Sequence, residues 1–317
     1  MAETSGRITL WGVEVFAAIV EERSISAAAR RLGASPSSVS QQLTNLETAM
    51  STVLIDRSAR PLTCTPAGEL FRRRAVVILN EAEQARAELA AADMTRLSRF
   101  RLGMIEDFDA DVTPALLTEL AEAWPRTQFL LETGASHRLM DQLEARALDL
   151  VVTADMGAVG EGLEVHPLFQ EPFVAAVPPG TDGALDTLRK LPLIQYSARH
   201  FMGRQIAAHL AREDLRLNHR FELDSYHAIL SMVSAGQGWT ILTPLGVLRA
   251  QRFVGEIDIV PLPLAPFTRR IMLTARRDVL GGLPMDVADR LRARLTALIV
   301  DPTRARLPWL ADLMRVL

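Results

Sequence analysis

The chain has 317 residues, 49% of them apolar, with 35 basic and 38 acidic side chains and a formal net charge of −3. That length allows two or three domains, each burying its own core, and the composition excludes a disordered chain and any function that rests on bulk positive charge. The one cysteine, Cys64, excludes an internal disulfide and a multi-cysteine metal site.

The N-terminus lacks the basic and apolar regions of an export signal, and no stretch is long and apolar enough to cross a bilayer. A cytoplasmic protein with no membrane partner is expected. Residues 8–22 predict a first helix, with Leu10, Val13, Phe16, Ala17 and Val20 on one face and Glu14, Glu21 and Glu22 on the other.

Residues 24–47 are the most informative stretch. Ala28, Ala29 and Leu32 form one apolar stripe, and Val39, Leu43 and Leu46 a second, at helical spacing. Gly33 supplies the permissive backbone of a tight turn, and Ser35 followed by Pro36 predicts an N-cap with proline at the first helical position. This is a helix-turn-helix. Its second helix offers Ser37, Ser38, Ser40, Gln41, Thr44 and Asn45, short hydrogen-bonding side chains suited to phosphates and base edges.

Over residues 1–66 the arginines Arg7, Arg23, Arg30, Arg31, Arg57 and Arg60 are matched by Glu3, Glu14, Glu21, Glu22, Glu47 and Asp56. DNA contact must therefore depend on where the arginines sit. Residues 53–65 predict a two-stranded wing with Arg57 and Arg60 at its tip, placed to reach phosphates or a minor groove.

Thr65 and Pro66 start a long helix running to about residue 94. Phe71, Ala75, Ile78, Ala82, Ala85, Leu89 and Ala92 recur at steps of four and three residues. So narrow a seam of small residues predicts pairing with a second copy of the chain, the alternative being packing against the chain's own body. From residue 99 strands and helices alternate, predicting a parallel α/β domain of two lobes; residues 285–300 predict a helix and the last segment a short extra amphipathic helix.

The motifs S-x-S-x-A-A-x-R-L at residues 24–32, the serine-rich second helix and, most specifically, D-R-S-x-R-P-L-x-x-T-P-A-G at residues 56–68 resemble those of LysR-type transcriptional regulators, as do LEARALDLVV at 143–152 and SAGQGWTILTP at 234–244. The resemblance implies a winged helix-turn-helix over residues 8–65, a dimerising linker helix over 66–95, and a two-lobed effector-binding domain built like periplasmic binding proteins over 99–300. The first lobe is expected at about 99–168 and 268–300 and the second at about 169–267, with 301–317 as a C-terminal extension. It further implies a homodimer or homotetramer that binds double-stranded promoter DNA, answers to a small-molecule effector and, for an activator, contacts RNA polymerase; no cofactor is implied.

The sequence departs from the family pattern where Pro36 and Ser37 stand in the place of Gln and Pro, where Gln41 replaces a frequent Arg, and where residues 49–55 lose a glycine. The expected DNA contacts are Ser24, Ser35, Pro36, Ser37, Ser38, Ser40, Gln41, Arg57 and Arg60, with Ser40 and Gln41 reading bases.

Open α/β domains bind ligands at strand ends and helix starts. That places Glu106, Asp107, Phe108, Ser136, His137, Tyr196, Ser197, Asp224, Ser225 and Thr243 around one cleft. Glu106, Asp107 and Asp109 crowd its first loop, which predicts a neutral, zwitterionic or amine-bearing effector unless Arg138, Arg199 or Arg204 offsets them.

Other classes fit poorly. Cys64 has no evident base, no G-x-S-x-G elbow occurs, the glycines of 157–162 are misspaced for a dinucleotide loop, and His209 with Glu213 makes no metal set. A nutrient-binding protein lacks the export signal it would need, and a ligand-insensitive DNA-binding protein stays open as the alternative.

Overall fold

A computed structural model describes residues 7–90, 97–157, 160–215 and 217–317. The chain forms two compact units, the first reaching to Leu89 and including Ala145–Ala147, the second made of the remainder from Ala90. In the N-terminal unit, α1 (Leu10–Glu22), α2 (Ile25–Arg31) and α3 (Pro36–Ala49) each start at a hydroxyl cap. Thr9 accepts from the Gly12 amide at 3.0 Å, Ser24 from Ala27 at 3.4 Å and Ser35 from Ser38 at 3.1 Å. The α2–α3 turn passes through Gly33 at φ +63°, where a side chain would be strained.

Strands β1 (Ile55–Asp56) and β2 (Thr63–Cys64) pair antiparallel as the wing. Helix α4 (Pro66–Ala90) follows at once, so close that a Cβ on Gly68 would lie 2.0 Å from the Leu54 carbonyl oxygen.

The core of this unit joins Phe16 and Ile19 of α1 to Leu43 and Leu46 of α3 and to Leu54 and Ile55. Phe71 and Ala75 of α4 belong to it too, Phe71 meeting Phe16 edge-on at 5.1 Å. These two residues were expected on the dimer seam. They are buried within their own chain instead, because an a/d repeat marks an apolar stripe but does not say what covers it. Ile78 and Ala85 are exposed and Ala82 is half-buried; the Leu89 side chain and Ala92 lie outside the described residues.

The C-terminal unit opens with β3 (Arg99–Ile105), a short 3-10 turn at Glu106–Phe108, α5 (Val112–Ala123), β4 (Gln128–Gly134), α6 (Ser136–Glu144) and β5 (Leu150–Ala154). Strand β3 runs parallel to both β4 and β5. The ten-residue β6 (Leu163–Pro172) leads through Phe173 into β7 (Val174–Val177) and so into the second lobe, and β12 (Thr268–Arg276) leads back.

These crossover strands pair antiparallel, and β12 also lies antiparallel to β5, so the sheet is mixed rather than parallel. A strand returning directly from another lobe, without a helical crossover, re-enters in the opposite sense. The lobe boundary expected at residue 168 falls inside β6.

The second lobe holds a sheet of order β10 (Thr240–Leu242), β7, β11 (Asp258–Pro261) and a parallel pair of β8 (Leu193–Tyr196) and β9 (His219–Leu223). Helices α7 (Leu185–Leu188), α8 (Phe201–Arg212), α9 (Tyr226–Ser234) and α10 (Pro244–Arg249) complete it. Strand β10 is only three residues long, because Thr243 caps α10 and Pro244 begins it.

The end of the chain corrects a further expectation. After α11 (Leu283–Leu295), a π turn and α12 (Asp301–Arg306), the last segment forms a 3-10 turn and then β13 (Arg315–Val316), which pairs with β6 at the sheet edge. Leu310 and Met314 are fully buried there, so this segment is part of the sheet's packing and not an added helix.

Candidate functional site

The outward face of α3 carries Ser35, Pro36, Ser37, Ser38, Gln41, Thr44 and Asn45, all exposed, with Ser40 half-buried. Its hydrogen bonds are local. Gln41 Nε2 donates to Asn45 Oδ1 at 2.9 Å, and the Thr44 and Thr48 hydroxyls donate to carbonyls four residues back at 3.0 and 2.8 Å. Thr44 and Thr48 have therefore spent their hydroxyl protons, whereas Gln41 keeps its carbonyl oxygen and Asn45 its amide hydrogens for a partner. Asn45, named on this face but not among the expected DNA contacts, is paired with Gln41 by its place four residues later.

The wing arginines are not free prongs. Arg57 donates to Glu47 Oε2 at 2.7 Å and to Thr44 Oγ1 at 3.0 Å, which ties the wing to α3. Arg60 donates to the carbonyls of Arg57 and Ala59. Ser24 is engaged as the α2 cap.

In the C-terminal unit the strand ends of the first lobe face helix starts of the second across a narrow cleft with a cavity volume of about 50 Å³. Of the expected residues, Glu106, Asp107, Ser136 and Tyr196 line it. Thr243 joins from behind by accepting from Arg269 at 3.2 Å.

Phe108 does not line it; it is core, 1% exposed. The Ser197 hydroxyl donates to Glu222 at 2.7 Å, Ser225 caps α9, Asp224 is exposed, and His137 is half-buried away from the opening. The arginines proposed as counterions are elsewhere too. Arg138 and Arg199 are exposed, and Arg204 donates to the carbonyls of Ala198 and Arg199.

The actual counterions are Arg269 and Arg249. Arg269, at the start of β12, donates through Nε to Glu171 Oε1 at 2.9 Å and through Nη2 to Asp107 Oδ1 at 3.0 Å. Glu171 is completely buried and also accepts from the Leu245 amide at 3.0 Å. Burial pushes its carboxyl up, opposed by Arg269.

Tyr226 donates to the same Asp107 oxygen at 3.1 Å. The Tyr196 ring lies 5.2 Å from it, and burial and then Asp107 push the Tyr196 hydroxyl up to about 12. At the rim, Arg249 of α10 pairs with Glu106 at 2.8 Å and approaches Asp109 at 3.7 Å. Burial, with Glu106 and Asp107 adding to it against Arg249, pushes Asp109 up. Among the described residues no group of three or more His, Cys, Asp or Glu side chains is placed to hold a metal.

Two family models match this chain. Residues 10–69 match the bacterial regulatory helix-turn-helix protein, lysR family, and residues 96–294 match the LysR substrate binding domain. The chain belongs to the LysR family. This regulator is 34% identical over 180 residues to a probable hydrogen peroxide-inducible genes activator of Mycobacterium xenopi, covering 57% of the present chain and 95% of that one.

Its fold is similar to that of a full-length OxyR variant from Pseudomonas aeruginosa, with a TM-score of 0.66 at 23% identity over 90% of this chain and 95% of the other. It is also similar to full-length CbnR complexed with its target DNA, with a TM-score of 0.64 at 18% identity over 90% and 100%. The regulator thus couples a DNA-binding helix-turn-helix to an effector-binding domain.

Proposed function

We propose that this LysR-type regulator grips promoter DNA as a dimer through α3, and that a small effector entering the cleft of the C-terminal domain changes that grip. The observation that supports the effector half is a pair of contacts across the cleft. Tyr226 of the second lobe donates to Asp107 of the first, which Arg269 holds from β12 on its own side, and Arg249 of the second lobe pairs with Glu106. A ligand that replaces either cross-cleft contact changes what holds the lobes together, and this is the differential contact that a population shift requires.

For the DNA half, Gln41 and Asn45 present an acceptor and donors on an exposed helix face, the pattern that fits the N6 and N7 edge of adenine. Ser35, Ser37 and Ser38 stand at the N-terminus of α3, where amides and hydroxyls suit phosphate. Arg57 and Arg60 add phosphate contacts from the wing once released from their internal partners. Ile78, Ala82 and Ala85 supply the part of the α4 face offered to a second copy.

Peroxide is not the signal proposed, despite the relative's name. Residues 96–294 contain no cysteine, and Cys64 lies in the wing with its thiol pushed up by burial and Glu69. The test is retention of DNA fragments flanking the gene by the full-length protein, with sedimentation to measure its mass. Salt-dependent retention by a dimer or larger species, altered by at least one metabolite from a broad panel, is expected. A monomer that retains no fragment would sink the DNA half, and retention indifferent to every metabolite would favour a ligand-insensitive regulator.

A further inference from the structure

The charge arithmetic of the cleft says which ligands it can hold, granted the reading above that the cleft is the effector site. Each guanidinium there already faces two carboxylates: Arg269 has Glu171 and Asp107, and Arg249 has Glu106 and Asp109. An anion entering the cleft would have to win a guanidinium from two resident carboxylates. A cation meets a surplus of negative charge at the mouth, where Glu106 is 53% exposed beside the nearly buried Asp107.

The wall opposite is aromatic. Both tyrosines of the chain, Tyr196 and Tyr226, meet there with Phe201 close by. This wall already draws cations, with Arg249 over the Tyr226 ring and Arg204 over the Phe201 ring, each at 5.8 Å, and aromatic faces attract an ammonium and repel a carboxylate. The other side is formed by Gly134 and Ala135 leading into Ser136 at the start of α6, small residues beside the amide end of a helix. That end tolerates a carboxylate carried on the same molecule.

We infer that the effector is a small organic molecule bearing a protonated amine, whose ammonium lies between Asp107 and Glu106 and against the tyrosine pair. An α-amino acid and a simple amine share this chemistry, and the experiment separates them.

Full-length protein is titrated calorimetrically, and its thermal midpoint followed, with two carbon skeletons in three forms each. These are 3-methylbutylamine, leucine and 4-methylpentanoate, and phenethylamine, phenylalanine and 3-phenylpropionate. For at least one skeleton an amine-bearing form should bind and raise the midpoint while the carboxylate lacking the amine does not. Preference for the amino acid over the amine assigns the α6 terminus to its carboxylate.

Glu106→Gln should weaken the amine-bearing form about tenfold, because the amide oxygen still accepts from the ammonium but the carboxylate charge that strengthens that bond is lost. This rim variant serves where Asp107→Asn fails to fold. Equal binding of the carboxylate, no binding of any amine-bearing form, or unchanged affinity in Glu106→Gln would overturn the inference. A metabolite without an amine that changes promoter retention would overturn it while leaving the proposed function standing; indifference of retention to every metabolite would bring down the proposed function itself.

Discussion

On α3 the outward side chains are neutral and short, and apart from the bond that Thr44 accepts from Arg57 their hydrogen bonds stay within about a turn of the same helix. In the cleft Asp107, Glu171 and Arg269 are charged, nearly or wholly buried, and joined across as many as 162 positions of chain. The first surface exchanges a weak local bond for one to a base at little cost, because each bond is worth little net in water. The second has few arrangements that keep every charge paired, so it resists partial change and yields to a competing ligand. One region is suited to reading and the other to switching.

The largest test of this contrast is Arg269→Ala. It leaves Glu171 buried without its cation, and urea denaturation should show a loss of about 3–5 kcal/mol. A loss below about 1 kcal/mol would mean that the network is not under the tension argued for it.

Gly203→Ala tests how tightly the cleft wall is built. The added methyl would lie 2.1 Å from the Ser197 carbonyl oxygen, and a destabilisation of about 1–3 kcal/mol is expected in the same assay. On the reading side, Gln41→Ala should leave the fold intact and reduce discrimination between operator and random DNA by about 1–3 kcal/mol, measured by competition binding. Equal loss on both DNAs would remove Gln41 from base reading.

The smallest effect belongs to His209, which is buried in the second lobe and stacks on Phe267 at 3.9 Å. Burial holds it below the usual 6.5, against an opposing pull from Glu213. The unfolded chain therefore takes up a proton near pH 6.5 that the folded one refuses, and stability should fall as the pH drops through that value. His209→Phe should flatten that acid limb of the denaturation profile; an unchanged slope would show that other groups cause it.

Legibility in the sequence followed the range of the interactions. The helix-turn-helix was readable because Thr9, Ser24, Gly33 and Ser35 act on backbone within three residues of themselves. Glu106, Asp107, Ser136 and Tyr196 were found in the cleft because strand ends and helix starts announce themselves locally.

Arg269 was not, since nothing near it signals that the first turn of a late strand will meet an aspartate far back in the chain. Tyr226 gives no local sign either, because its phenol acts through Asp107, 119 positions away in the chain. Phe71 and Ala75 were misassigned because periodicity records that a face is apolar and says nothing of whose surface answers it.

Strand β13 has a practical consequence. The match to the substrate-binding family stops at residue 294, yet the sheet is completed by Arg315 and Val316 lying against Gln170 and Phe169. A fragment trimmed to the family boundary would leave β6 as a bare edge and uncover the apolar ground that Leu310 and Met314 shield, inviting strand-to-strand aggregation. Anyone preparing the ligand-binding half alone, or fusing a purification handle to it, does better to keep the natural tail and work from the opposite end.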